Sequence, residues 1–257
     1  MSRHIEAWMD GMRLSDLGAI IIRDVDEPAP DVEITYYSRA FRGGQSVQKR
    51  RRTALRVTIH AAIHELFDLR KRNDIRQALA KWCGGQYLEL SNHPDQRLRV
   101  ICKAEPGLGS VRDFNGTLDI ELEANEIPYW EEKLPVTASG SGTSGSATML
   151  IPGTAKEVPV EATFASGNGI SSLTVSVSCG DVTKSIELSG MSSETGAITF
   201  GRDAEDRLTI MTGTTSLMPY RTAASADDLI IPAGLATVSW TASASRSVSF
   251  SARGRWL

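Results

Sequence analysis

The densest charge in the 257-residue sequence is the run Lys49, Arg50, Arg51 and Arg52, inside "GGQSVQKRRRT" (43–53). Four consecutive cations can grip phosphates, carry a sorting signal, or mark a charged edge that meets an acidic neighbour. A protein that tracks nucleic acid draws most of its affinity from phosphate neutralisation and carries a basic excess. This chain has 28 Lys and Arg against 31 Asp and Glu, a formal net charge of -3. The run is therefore read locally. Gly43 and Gly44, with alternating segments on either side, suggest a long hairpin or loop leading into a strand at 54–61, and the acidic "DVDEPAPDVE" (24–33) offers opposite charge nearby. Lys49, Arg50, Arg51 and Arg52 are the candidate interface, facing acidic groups of a neighbour.

Other residues fail the spacing tests of chemistry. His60 and His64 stand four apart, but no HExxH frame surrounds them and Cys83 is the only soft ligand near in sequence, so no metal site is assigned. "GSGTSG" (140–145) matches the dinucleotide fingerprint, yet "SATMLIPG" follows where a helix should face the pyrophosphate, and the stretch reads as a linker. "NGT" (115–117) reads as a hairpin turn rather than a glycosylation site. No GxSxG elbow occurs, and the four histidines at 4, 60, 64 and 93 complete no Ser/His/Asp or Cys/His set. Asp203, Glu205 and Asp206 of "GRDAEDR" read as a solvated turn. No catalytic residue, metal ligand or cofactor motif is assigned, and the chain reads as a non-enzyme. In the second half Tyr220, in the turn-like "SLMPYRT", is the candidate glycan platform.

The elements that would position these residues are mostly strands. Hydrophobic residues make up 41% and charged residues 23%, a globular composition. "GAIIIRDV" (18–25) reads as a short buried run, while "VEITYYSRAF" (32–41) and "ALRVTIHA" (54–61) alternate, with Leu55, Val57 and Ile59 on one face. "RDFNGTLDIELEA" (112–124) reads as a hairpin turn at Asn115-Gly116 followed by a strand with Leu118, Ile120 and Leu122 inward. One helix, about 65–83, is expected from the stripe Phe67, Ile75, Ala78, Leu79 and Trp82, with Gly84 and Gly85 supplying a C-cap conformation that β-carbons disfavour.

The first 134 residues hold 20 of the 28 Lys and Arg and 21 of the 31 Asp and Glu. "LPVTASGSGTSGSATML" marks the seam and is expected to be a flexible linker, 135–152. From 153 to 257 short alternating segments, among them "SSLTVSVSCG" with Leu173, Val175 and Val177 inward, predict a β-sandwich, with Trp240 and Phe250 in its core. Cys83, Cys102 and Cys179 lie far apart without CxxC spacing, which argues against a disulfide framework. The charged start "MSRHIEAWMDGMRLSDLG" has no apolar signal region, so synthesis in a cytoplasm is expected.

The order of segments resembles a known family. "ALAKWCGG" and "QYLEL" close a helix and open a strand, and "GTLDIELEANEIPYWEE" (116–132) ends the first part. "GTAKEVPVEATF", "IELSGMSSETGAITFGRD", "DDLIIPAGLATVSW" and "SVSFSARGRWL" then follow in sequence. This resembles the distal tail proteins (Dit) of long-tailed, non-contractile bacteriophages, over about residues 10 to 257. The resemblance implies a mainly β fold: an N-terminal β-sandwich-like ring domain (1–134) with one helix, then a C-terminal galectin-like β-sandwich (153–257). It implies a virion protein of the tail tip. Its subunits form a homo-hexameric ring that joins the tail-tube protein to the tail-tip hub and lets the genome pass through its lumen. A carbohydrate-binding β-sandwich for host-surface glycans, and a related tail-tube or hub component, stay open as alternatives.

Overall fold

The computed structural model describes residues 5–18, 20–30, 32–38, 45–63, 69–104 and 116–256. The chain is mainly β, sandwich-like, and divides into two compact units, one up to Trp130 and one from Glu131 to Trp256. The expected Asn115-Gly116 turn begins outside the described residues, as do His64 and Phe67.

The first unit opens with β1 (Ala7–Met9) and β2 (Met12–Arg13), joined by a tight turn in which Asp10 and Gly11 take φ of 49° and 80°. Two successive positive φ values define the hairpin turn that Asp-Gly favours. Then come β3 (Ile20–Asp26), β4 (Val32–Ser38), β5 (Gln45–Arg52), β6 (Leu55–Ile63), α1 (Leu69–Cys83), β7 (Tyr87–Leu90), β8 (Gln96–Arg99), β9 (Ile101–Cys102) and β10 (Gly116–Ala124). β1, β2, β7 and β8 form one antiparallel sheet, and β3, β6, β10 and β9, in that order, form another. β6 and β10 pair over nine residues. Their inward rows, Leu55, Val57, Ile59 and Ala61 against Leu118, Ile120, Leu122 and Ala124, are buried, as the alternation predicts. "GAIIIRDV" is not a uniformly buried run: β3 is an edge strand that hides Ile20 and Ile22 and leaves Ile21 46% exposed.

Helix α1 buries Ile75, Leu79 and Trp82, and the Trp82 indole N–H donates to the Met12 carbonyl at 2.8 Å. The helix ends on Gly84 N–H donating to Ala80 O (3.1 Å) and Gly85 N–H to Trp82 O (3.0 Å). The expected glycine conformation is not used, since neither glycine has positive φ. Gly85 is needed for space instead: a β-carbon there would overlap Met9 and lie 2.9 Å from Asp10 Oδ2.

At the division of the units lies β11 (Trp130–Glu132). The second unit contains β12 (Val136–Ile151), β13 (Val158–Phe164), β14 (Ile170–Cys179), β15 (Val182–Glu194), β16 (Ile198–Arg202), β17 (Leu208–Thr212), β18 (Thr215–Ser216), β19 (Ile230–Ile231), β20 (Gly234–Ala252) and β21 (Arg255–Trp256). The expected linker at 135–152 is a correction. It is β12, a 16-residue strand paired with β20 from Val136↔Ala252 to Ile151↔Gly234. The sandwich turns on this pair. β20 joins β14 through residues 236–242 and β13 through residues 248–252, so β12 and β20 run through both halves of a curled sheet.

The composition that resembles a linker serves this geometry. Register shifts between Gly142 and Ser144, where Gly142 has φ of 125°. A bulge of this kind bends and twists a strand. The Trp240 ring lies against the β12 backbone, so a β-carbon on Gly140 would overlap it and one on Gly145 would sit 2.5 Å from its Cζ2. The "GSGTSG" glycines thus make room for an indole and a corner. Trp240 and Phe250 pack at 5.9 Å, and Leu173, Val175 and Val177 face the same interior.

Arg246, at the corner, is 5% exposed. Its guanidinium donates to the carbonyls of Asn168 (2.6 and 2.8 Å), Ala165 (3.0 Å), Gly196 (2.5 Å) and Glu194. It fastens the β13–β14 and β15–β16 connections with backbone acceptors alone. A second buried cation, Arg255, donates to Glu131 Oε1 (2.8 Å) and Asp206 Oδ2 (2.9 Å). Asp206 therefore has a structural partner rather than a solvated place. Asp203 does close its own turn, accepting from the N–H groups of Glu205 and Arg207, each at 2.9 Å. Hydrogen bonding from the Arg207 backbone, against some burial, lowers the Asp203 carboxyl below its usual 3.8. None of the three cysteines is in a disulfide.

Candidate assembly interface

Lys49, Arg50, Arg51 and Arg52 end β5, which among the described residues pairs only with β4. In the backbone register Arg52 stands opposite Val32, Arg51 opposite Glu33, Arg50 opposite Ile34 and Lys49 opposite Thr35. A bulge between Thr35 and Tyr36 breaks the ladder. β4 continues the chain from β3, and β5 leads into β6, so the β3–β6 hairpin extends beyond its sheet as a two-stranded ribbon. Seven or eight residues of strand reach about 25 Å.

Such a ribbon has no interior. Val32 and Ile34 are each 37% exposed and Tyr36 is 51% exposed. A two-stranded ribbon is at best marginally stable alone in water. In the backbone register the four consecutive basic residues stand opposite Val32, Glu33, Ile34 and Thr35, of which Glu33 alone is acidic. The apolar exposure of Val32, Ile34 and Tyr36 is relieved by docking on a surface that supplies apolar contact.

Two residues of the acidic stretch 24–33 have described partners elsewhere. Asp26 and Glu27 turn to histidines. His60, on β6, sets Nε2 3.3 Å from Asp26 Oδ2 and Nδ1 2.7 Å from Asp119 Oδ1. His93, in the β7–β8 turn, sets Nε2 3.0 Å from Glu27 Oε2 and Nδ1 3.0 Å from Gln96 Oε1, and stacks on Trp130 at 4.3 Å with planes 10° apart. Asn92 Nδ2 donates to the other Glu27 oxygen at 3.0 Å. On the returning strand, the Arg52 guanidinium lies 5.8 Å from the Tyr129 ring centre. The root of the ribbon is thus tethered on both strands. Beside it is a cleft of about 320 Å³ lined by Pro28, Ala29, Pro30, Thr53, Ala54, Arg56 and Glu123.

These histidines are not legible in the sequence as partners of the acidic stretch 24–33. Only the i,i+4 spacing of His60 and His64 stood out, and His60 lies on a strand, not a helix. Among the described residues no group of three or more His, Cys, Asp or Glu could hold a metal ion. No helix among them is long and apolar enough to cross a membrane. Tyr220 sits in a 3-10 turn, Met218–Tyr220, and is half-buried.

No family model matches the sequence, and no curated protein does. Solved structures do match. The crystal structure of SPP1 Dit (gp 19.1), a paradigm of the hub adsorption apparatus in phages that infect Gram-positive bacteria, superposes with a TM-score of 0.68 at 13% identity, covering 98% of this chain and 99% of that one. Chains of the phage p2 baseplate in its activated conformation also align. With Ca the TM-score is 0.48 at 11% identity, covering 99% and 98%; with Sr it is 0.46 at 10%, covering 97% of each. Both units take part in the match to SPP1 Dit, and over nearly its whole length this chain has the fold of that distal tail protein.

Proposed function

We propose that this protein is a structural component of a phage tail tip. Its first unit assembles into a hexameric ring between tail tube and hub, and the genome passes through the lumen. The observation that carries this reading is the fold shared with SPP1 Dit along both whole chains. The β4–β5 ribbon, with Lys49, Arg50, Arg51 and Arg52, is the arm that meets a neighbouring subunit or the tube. Its exposed Val32, Ile34 and Tyr36 and its run of four basic residues support that role, because charged rims set register and specificity. The second unit is a galectin-like sandwich carried on the ring, and Tyr220 is its candidate glycan contact. The protein works without catalysis or a cofactor, in the virion.

Negative-stain imaging of the purified chain tests the reading. Sixfold rings are the expected result, and a strict monomer at every concentration contradicts it. A glycan array on the same preparation tests Tyr220: hits that vanish in Tyr220→Ala assign the sandwich a sugar site, and an array without hits removes that role.

A further inference from the structure

The outgoing strand of the ribbon is held at its root by two consecutive carboxylates, Asp26 and Glu27, each facing a different histidine. The geometry around both rings favours the charged form. A neutral imidazole has one N–H donor and one acceptor nitrogen, whereas an imidazolium has two donors. His60 presents each ring nitrogen to a carboxylate oxygen, of Asp26 and of Asp119, and satisfies both contacts only when doubly protonated. His93 presents one nitrogen to a carboxylate, Glu27, and the other to the side-chain amide of Gln96, and the charged ring strengthens the Glu27 contact. The Trp130 face beneath His93 also favours a cation.

We propose that His60 and His93 form a protonation-dependent latch that fixes the root of the β4–β5 ribbon when charged and releases it when neutral. The latch regulates the arm named above, and so rests on the reading of the ribbon as the assembly arm. Releasing it leaves Pro28, Ala29, Pro30, Thr53 and Ala54 beside an open cleft, with Arg52 on Tyr129 as the described aromatic tether of the returning strand.

The charged groups around His60 are Asp24 and Asp26 of β3, Asp119 and Glu121 of β10, and, further along, the Arg56–Glu123 pair at 3.6 Å. Those around His93 are Glu27 and the neutral Asn92, Gln96 and Trp130. Hydrogen bonding to Asp119 and then Asp26 raises His60 above its ordinary 6.5. Hydrogen bonding to Glu27 raises His93 likewise, against burial. Burial opposes ionisation of Glu27, but hydrogen bonds from His93 and Asn92 outweigh it and hold the carboxyl below 4.5. A raised histidine contributes fully below its unfolded value and loses that contribution as pH rises through the folded one. The latch is therefore engaged in mildly acid solution and opens on the alkaline side of 6.5.

Hydrogen exchange on the full chain tests this. After correction for intrinsic rates, protection of amides in 26–38 and 45–56 should fall about tenfold between about pH 6 and about pH 9, while protection in β12 and β20 holds. The His60→Gln/His93→Gln double variant should show little pH response at the root. A flat wild-type profile, or a double variant with the wild-type slope, overturns the latch. Should the double variant fail to fold, Glu27→Gln, which keeps both histidines, must reduce the response, and an undiminished response overturns the latch equally. A pH response in a chain that never assembles supports the latch and removes the assembly reading instead, so the two failures are distinct.

Discussion

Two antiparallel strand pairs in this chain, β4–β5 and β12–β20, differ in what surrounds them. β20 has β12 along one side and β14 and then β13 along the other, so its alternating row from Ala236 to Ala252 is buried except at Ala244. The glycines of β12 gain their place by admitting Trp240. Among the described residues β4 and β5 pair with each other alone and leave Val32, Ile34 and Tyr36 exposed. A strand pair is stabilised by what covers its faces and edges more than by its own composition. The covered pair is the axis of a sandwich, and the uncovered pair is the one proposed to meet a neighbour.

The contrast should appear first in overpacking. Gly145→Leu drives a side chain into the Trp240 ring and should cost about 3 kcal/mol, read as a lowered urea midpoint. If the loss were under about 0.5 kcal/mol, β12 would be as loosely held as the linker its composition suggests. Arg246→Met should cost about 2 kcal/mol in the same measurement, because carbonyls of Asn168, Ala165, Gly196 and Glu194 lose a buried donor. An unchanged midpoint would mean that the corner is held without its arginine.

Smaller effects belong to the first unit. His93→Gln should cost about 1 kcal/mol near pH 6 and almost nothing well above the raised histidine value, since the charged hydrogen bond to Glu27 is lost with rising pH. Urea titrations at the two pH values check the sign, and a larger loss on the alkaline side would contradict it. The smallest effect is expected in the ribbon. Ile34→Ala should shift the urea midpoint by less than about 0.5 kcal/mol, because a half-open side chain has little packing to lose.

The alternation of Leu55, Val57 and Ile59, and of Leu118, Ile120 and Leu122, is legible because each strand has one wet face and one dry face. Helix α1 is legible in the stripe Ile75, Leu79 and Trp82 for the same reason. β12 is not, since Gly and Ser carry no periodicity of hydrophobicity, and the reason for them is an indole about a hundred residues away at Trp240. The histidine contacts are illegible on the same ground: Asp119 is 59 residues from His60, and Glu27 is 66 from His93. The basic run is found by charge alone, whereas its pairing with β4 from Val32↔Arg52 to Ser38↔Gln45 depends on strand partners that single-sequence patterns do not record.

The claim that this ribbon is the assembly arm is tested most directly by sedimentation velocity on the wild type and on the Arg50→Glu/Arg51→Glu/Arg52→Glu variant. The account predicts a ring-sized species for the wild type and a shift to monomer at the same concentration for the variant, with the urea midpoint unchanged. A variant that sediments as the wild type does would contradict it.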